Sequence, residues 1–337
     1  MITVKSSYWR LVRCFDRACI VIIITHFSLL ITHSASAQTL TLTLVELNCE
    51  NLFDCRHDSL KQDTEWMPTA VRQWTPDRYW RKVNNIGQEI ISCSPDALPD
   101  LVALVEVEND SVLRDLTRRS LLRNAGYEYL MTSSPDVRGI DVALLYQPFS
   151  FHPLCYDYLD VQPLDGMRPT RDILYVQGET LSGETLHVFV VHAPSRFGGE
   201  KATRPNRRIV MERLIGAIQL LPSDAKVIIA GDFNDYADSP SLQFLEANNL
   251  HNITREAIGT NGAKGTYRYD GVWQSIDHVL VSPALRDSVA QTYVNDAPFL
   301  LEEDKKYGGV KPFRTYNGYR YQRGFSDHLP LVVRLRF

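Results

Sequence analysis

Apolar residues recur along this chain with two periods, and the switches between them predict its elements. Residues 40–47 alternate threonine with aliphatic side chains and read as an opening strand. Residues 101–105, 142–146 and 226–230 are short apolar runs, as expected of strands buried on both faces. Residues 173–178 and 185–191 flank Leu181-Ser182-Gly183-Glu184 and predict a hairpin. Residues 275–281 and 329–337 read as late strands. Helical spacing appears at 77–92 (Tyr79, Val83, Ile86, Ile90), at 111–124, at 204–221 (Ile209, Leu214, Ile215, Ile218) and in a shorter run at 239–248. Residues 54–76 are polar, carry Trp66 and Trp74, and read as a long loop. Strands in hairpins, interleaved with helices, predict an α/β protein of two sheets packed face to face with helices outside. No repeat or linker interrupts residues 38–337, so one domain is expected.

The first 37 residues break this pattern. Lys5, Arg10, Arg13 and Arg17 precede an apolar run at 18–32, which His33-Ser34-Ala35-Ser36-Ala37 closes with small residues. This predicts a secretory signal peptide cut near Ala37, with an uncleaved anchor as the alternative. The mature protein is then periplasmic or extracellular, without stable membrane insertion, and is expected to be a monomer. Removing the leader takes the net charge from −4 to −7. So acidic a chain has no global field to draw in a polyanion. Cys49, Cys55, Cys93 and Cys155 remain in the mature part, and their spacing leaves any disulfide pairing open. No CxxC pair suggests zinc. Cys49 is expected to point into the core, opposite Asn48 and Glu50.

Candidate chemistry stands where the strands end. Asn48-Cys49-Glu50-Asn51 follows the first. Glu106 closes Leu101-Val102-Ala103-Leu104-Val105. His192 follows the strand at 185–191, and Gly231-Asp232-Phe233-Asn234 follows the one at 226–230. Ile276-Asp277-His278 and Ser326-Asp327-His328-Leu329 complete the set. In this order the residues resemble the endonuclease/exonuclease/phosphatase superfamily, of the deoxyribonuclease-I-like fold and an exported bacterial type. The resemblance covers essentially all of residues 40–337. It implies a four-layer α/β sandwich of two mixed, mainly antiparallel sheets, with the site at one end of both.

By that resemblance Glu106 is the principal Mg²⁺ ligand, with Mn²⁺ or Ca²⁺ as other ions the site would take. Asn48, Glu50 and Asp327 lie on the metal side. Magnesium asks for one or two carboxylates and keeps its waters. His192 contacts the scissile phosphate, protonated, and Asp141 is the candidate to orient it. Asp232 orients the attacking water and Asn234 steadies the phosphorane oxygens. His328 is the general base or a phosphate contact, and Asp277 pairs with it; whether His328 or Asp232 is the base stays open. His278 is a flank. The implied reaction is in-line attack of water on phosphorus.

The substrate is less legible. Residues 195–208 carry Arg196, Lys201, Arg204, Arg207 and Arg208 against Glu200, and Arg138 and Arg171 are candidates for the same rim. Arg171, Arg196, Arg204 and Arg207 are the expected phosphate contacts. Tyr267, Tyr269 and Trp273 suit either stacking on a base or hairpin packing. The aromatic stretch from Phe313 to Phe325 is expected to be a packed loop. A Mg²⁺-dependent endonuclease or nucleotide phosphodiesterase is the leading expectation. A phospholipid or sugar-phosphate phosphodiesterase, and a non-catalytic binding protein on this fold, are the alternatives.

Overall fold

A computed structural model of the chain describes residues 40–337; the expected leader and its cleavage position lie outside these residues. Sheet one is built from β1 (Thr41–Leu52), β2 (Leu101–Val107), β3 (Glu128–Met131), β4 (Asp141–Tyr146), β11 (Val289–Val294) and β12 (Leu331–Arg336), in the order β11-β12-β1-β2-β4-β3. Sheet two is built from β5 (Phe151–Leu159), β6 (Ile173–Thr180), β7 (Thr185–His192), β8 (Lys226–Asp232), β9 (His251–Asn252) and β10 (Asp277–Val281), in the order β5-β6-β7-β8-β10-β9. Each sheet is antiparallel except for one inner pair, β1 with β2 and β7 with β8. Those parallel pairs need crossovers, which α1 (Pro76–Ser92) and α3 (Glu200–Ile218) supply.

Three apolar layers hold the stack. Between the sheets, Leu42, Leu44, Ala103 and Val105 meet Val188, Val190, Ile228 and Val279. Outside sheet one, Val45, Leu47 and Leu104 pack on Val83, Ile86 and Ile90 of α1 and on Val112 and Leu116 of α2 (Asp110–Arg118). Outside sheet two, Phe189 and Ile229 pack on Val210 and Leu214 of α3 and on Leu242 of α4 (Pro240–Ala247). The result is the four-layer helix–sheet–sheet–helix sandwich. Cys49 faces α1, as expected, and the four cysteines at 49, 55, 93 and 155 are all free.

Helix boundaries shift from the sequence reading. The helix expected at 111–124 ends at Arg118, because the Ser120 hydroxyl bonds back to the Leu116 carbonyl and the chain turns. The one expected from 204 begins a turn earlier, at Glu200, with Pro205 inside it. The loop at 54–76 holds a 3₁₀ turn at Thr64–Trp66. Among the described residues no helix is long and apolar enough to cross a membrane.

Candidate active site

Register alone sets the first row of the site. In sheet two, His192 of β7 pairs with Asp232 of β8, and Asp232 pairs with Asp277 of β10, so all three stand side by side at one sheet end. In sheet one, Asn48 of β1 pairs with Val105 of β2, just before Glu106. Asn48 reaches across between the sheets and donates from Nδ2 to Asp232 Oδ2 at 3.1 Å. Asn48, Glu106, His192 and Asp232 border one cavity of about 800 Å³, and buried Asp277 stands behind it.

Bulges, not strand alternation, aim the acids of sheet one. Val102, Leu104 and Val107 face the helices, so strict alternation fails between 104 and 107. The register with β4 shifts between Val105 and Val107, and Glu106 takes the extra position with φ 62°. The same happens in β1 between Asn48 and Leu52, where Glu50 (φ 48°) and Asn51 (φ 59°) are left-handed. Asn48 and Glu50 therefore do not share a face through simple alternation. Both still border the cavity, and the Glu50 N–H donates to Asn48 Oδ1 at 2.9 Å. On β8 the sequence reading holds, since Phe233 turns into the helix layer away from Asp232.

Glu106 Oε2 accepts from the Asn51 N–H at 2.8 Å, and its Oε1 lies 3.4 Å from the Arg138 guanidinium and 4.0 Å from His192 Nε2. Asp232 Oδ1 accepts from the Asn234 N–H at 2.7 Å, and its Oδ2 lies 3.8 Å from His192. Burial, then the neighbouring Asp277, pushes the Asp232 carboxyl up to about 7. His328 Nδ1 lies 2.8 Å from Asp277 Oδ2, which also accepts from the Thr266 hydroxyl. Burial alone lowers the His328 imidazole; Asp277, Asp327 and Asp232 outweigh it and hold it well above its usual range. His192 goes the other way. Burial, then Arg171 and Arg138, drive it well below its usual range, which favours the neutral imidazole and runs against the expectation of a protonated His192.

Asp141 is a second correction. It does not orient His192: its Oδ1 accepts from the Thr132 hydroxyl at 2.7 Å and the Ser134 N–H at 3.0 Å. His192 Nδ1 is buried with no hydrogen-bond partner among the described residues. The arginine rim is a third. Arg207 is fully buried and bonds Asp235 at 3.1 Å, Thr203 and the Glu200 carbonyl. Arg204 forks onto Glu200, and Arg196 lies 4.2 Å over the Tyr236 ring. None of these three borders the cavity; Ser195, Phe197, Thr203 and Asn206 do so from that segment. Arg171 does border it, tied to Asp136 at 3.1 Å and to the Ala193 carbonyl at 2.8 Å.

Arg314 was not singled out by sequence reasoning. It bonds Asp327 Oδ2 at 2.7 Å and lies 3.5 Å from Glu50 Oε1. Glu50 also accepts from the Thr315 and Tyr316 N–H groups, so it anchors this loop, and burial, then Asp327, pushes its carboxyl up to about 7. A lone arginine in a polar loop gave no signal by spacing. Tyr267 belongs to a hairpin, Tyr267–Tyr269 with Val272–Gln274, and its ring packs 4.9 Å from that of His328. His278 is buried against the Asp235 carbonyl, a flank as expected.

The donor set suits a hard divalent cation. Glu106, Asn48, Glu50 and Asp327 offer oxygens around one cavity, and burial together with acidic neighbours raises the carboxyls of Asp232 and Glu50. Asp232, Asp277 and His328 also place one ligand atom each within 4.8 Å of one another. The His328–Asp277 hydrogen bond accounts for that closeness, and the imidazole nitrogen involved is already engaged.

The Endonuclease/Exonuclease/phosphatase family profile matches residues 43–336. No curated protein matches the chain significantly. A solved family protein from Bacteroides thetaiotaomicron superposes with TM-score 0.59 at 19% identity, covering 89% of this chain and 99% of its own. A mannosyl-6-phosphatase of the same organism gives 0.59 at 18%, covering 88% and 100%. A humanized D. rerio TDP2 gives 0.56 at 15%, covering 87% and 98%. At such identities these structures share the fold. The family's members are phosphoester hydrolases and generally depend on a divalent metal. With its profile matched across nearly every described residue, the chain belongs to the endonuclease/exonuclease/phosphatase family.

Proposed function

We propose that this protein is a Mg²⁺-dependent phosphodiesterase acting on nucleic acid or a nucleotide, exported behind residues 1–37. The observation that carries this reading is the row His192–Asp232–Asp277, joined to sheet one by Asn48 and backed by His328. Glu106, Asn48 and Asp327 would hold the ion, with Glu50 anchoring the loop beside them. Bound there, Mg²⁺ offsets charge on the phosphate and on the leaving oxygen. Asp232 is the base: its carboxyl is poised near neutral pH and both oxygens are fixed by Asn48 and Asn234. It takes the proton of the water that attacks phosphorus in line. His328, held charged by Asp277, donates to a nonbridging oxygen, while neutral His192 offers a single N–H. Asn234 gives one amide hydrogen to the Ala193 carbonyl at 3.1 Å and keeps the other for the expanded phosphorus centre.

Plasmid DNA, RNA, sphingomyelin and bis(p-nitrophenyl) phosphate are the panel that tests this, with Mg²⁺ and with EDTA. Cleavage of DNA or RNA that EDTA abolishes is the expected result. Cleavage of sphingomyelin alone would replace the substrate, and metal-independent cleavage would overturn the mechanism.

A further inference from the structure

One wall of the cavity is aromatic and carries a guanidinium that the reaction does not use. Trp66, Arg72, Tyr316 and Gly318 form it, on the sheet-one side. The Arg72 carbon centre lies 4.7 Å from the Trp66 ring, 5.2 Å from Tyr316 and 5.3 Å from Tyr319. Its Nε donates to Glu65 at 2.8 Å and its Nη1 to the Gly318 carbonyl at 3.1 Å. Among the described residues no group accepts from Nη2. The side chain is 19% exposed, and its two hydrogen bonds hold the fork in one orientation. The rings behind it are themselves fixed: Phe53 stacks on Trp66 at 5.1 Å, and the Tyr316 N–H donates to Glu50.

The other arginines at the cavity differ. Arg138 bonds Asn51 at 2.5 Å and lies 3.4 Å from Glu106; Arg171 is bonded to Asp136 and Ala193; Arg314 is bonded to Asp327. Those three organise the site itself. Among the described residues Arg72 has no carboxylate of the reacting cluster as a partner; the acid it pairs with, Glu65, is 46% exposed and pairs weakly in water. A guanidinium set among three rings and bordering a cavity is prepared for a tetrahedral or planar anion. Tyr319, 62% exposed and 5.3 Å from the Arg72 carbon centre, offers a face for a ring carried beside that anion.

We infer that Arg72, with Tyr319, forms a second-phosphate subsite that selects nucleotide chains over substrates with a single phosphate. This rests on the phosphodiesterase reading above. It assigns the neighbouring phosphate of the strand to Arg72 and the adjoining base to Tyr319. An isolated sugar phosphate or a simple diester leaves both unused.

The test compares three dithymidylates, one without a terminal phosphate, one with it at the 5′ end and one at the 3′ end, beside bis(p-nitrophenyl) phosphate. Hydrolysis is followed in Mg²⁺, and equilibrium binding of the same dithymidylates in EDTA, where nothing is cut. The wild type should prefer one phosphorylated dithymidylate by about tenfold in kcat/KM, through KM, and in affinity, the worth of one charge-assisted fork. Arg72→Gln should abolish that preference and leave bis(p-nitrophenyl) phosphate unchanged. Arg72→Lys should restore part of it, and Tyr319→Ser, on an exposed side chain, should weaken it without changing the melting temperature. A wild type indifferent to the terminal phosphate in both assays would overturn the inference. So would an Arg72→Gln variant that loses activity equally on all four substrates, which is the mark of a purely structural staple. Phosphate-dependent binding without any hydrolysis would sustain the subsite and sink the phosphodiesterase reading instead.

Discussion

Glu50, Asn51, Glu106 and Asn234 all hold left-handed backbone at the rim of one cavity. Outside glycine this conformation costs about 1 kcal/mol or more per residue, so the surrounding strands must impose it. This is also why the site was only partly legible. The types and order of the polar residues pointed to Glu106, Asp232, Asp277 and His328, and the structure brings all four to that cavity or directly behind it. The bulges that aim Glu106 and Glu50 leave no mark in an alternation count. Arg207 was misread for another reason: clustered arginines look solvated in sequence, whereas this one is buried against Asp235. Glu89 on α1 offers a test at this scale. It is fully buried, and neither carboxylate oxygen has a partner among the described residues. Burial pushes its carboxyl up to about 8 against the pull of Lys82. An unfolded glutamate titrates near ~4.3. Between those values the folded chain holds an extra proton, so stability falls as pH rises across the window and stays low above it. Glu89→Gln removes this term. Its advantage in melting temperature over the wild type should therefore widen from pH 5 to pH 9. An equal gap at both would mean that Glu89 is not a buried acid.

Every inner strand of the two sheets was legible, and every edge strand was not. The inner strands β1, β2, β4 and β12, and β6, β7, β8 and β10, carry continuous or alternating apolar residues because both faces, or one whole face, are covered. The edges β3, β5, β9 and β11 lack that signal. On β5, Leu154 and Tyr156 are exposed beside Pro153 and give no strand period, yet proline is tolerated where one side of a strand goes unpaired. The inner elements also meet tolerances that sequence hides. Gly231, next to the end of β8, has φ 154°, and a Cβ there would stand 1.8 Å from the Val191 carbonyl oxygen of β7. Gly231→Ala must push β8 away from β7 and so separate Asp232 from His192. The variant should be poorly soluble or melt several degrees lower, with activity lost. An unchanged melting temperature would show that the strands do not approach so closely.

At the scale of the molecule, the site exists only because two sheets end at the same level. Sheet one supplies Asn48 and Glu106, sheet two supplies His192, Asp232 and Asp277, and the chain's last loop brings Asp327 and His328 over both. The Asn48–Asp232 bond ties the two halves across the inter-sheet core. A net charge of −4 over the whole chain offers no long-range field to an anionic substrate, which leaves its recognition to local groups such as Arg72. The central claim is that Glu106 binds the ion on which hydrolysis depends. The measurement that meets it most directly is the rate of bis(p-nitrophenyl) phosphate hydrolysis against Mg²⁺ concentration, for the wild type and for Glu106→Gln, with melting temperatures taken on both. We predict a saturable Mg²⁺ requirement in the wild type. In the variant, kcat/KM should fall by about 10²-fold or more and the half-saturating Mg²⁺ concentration should rise, with folding intact. A folded variant with the wild-type rate and the wild-type Mg²⁺ curve would contradict the account.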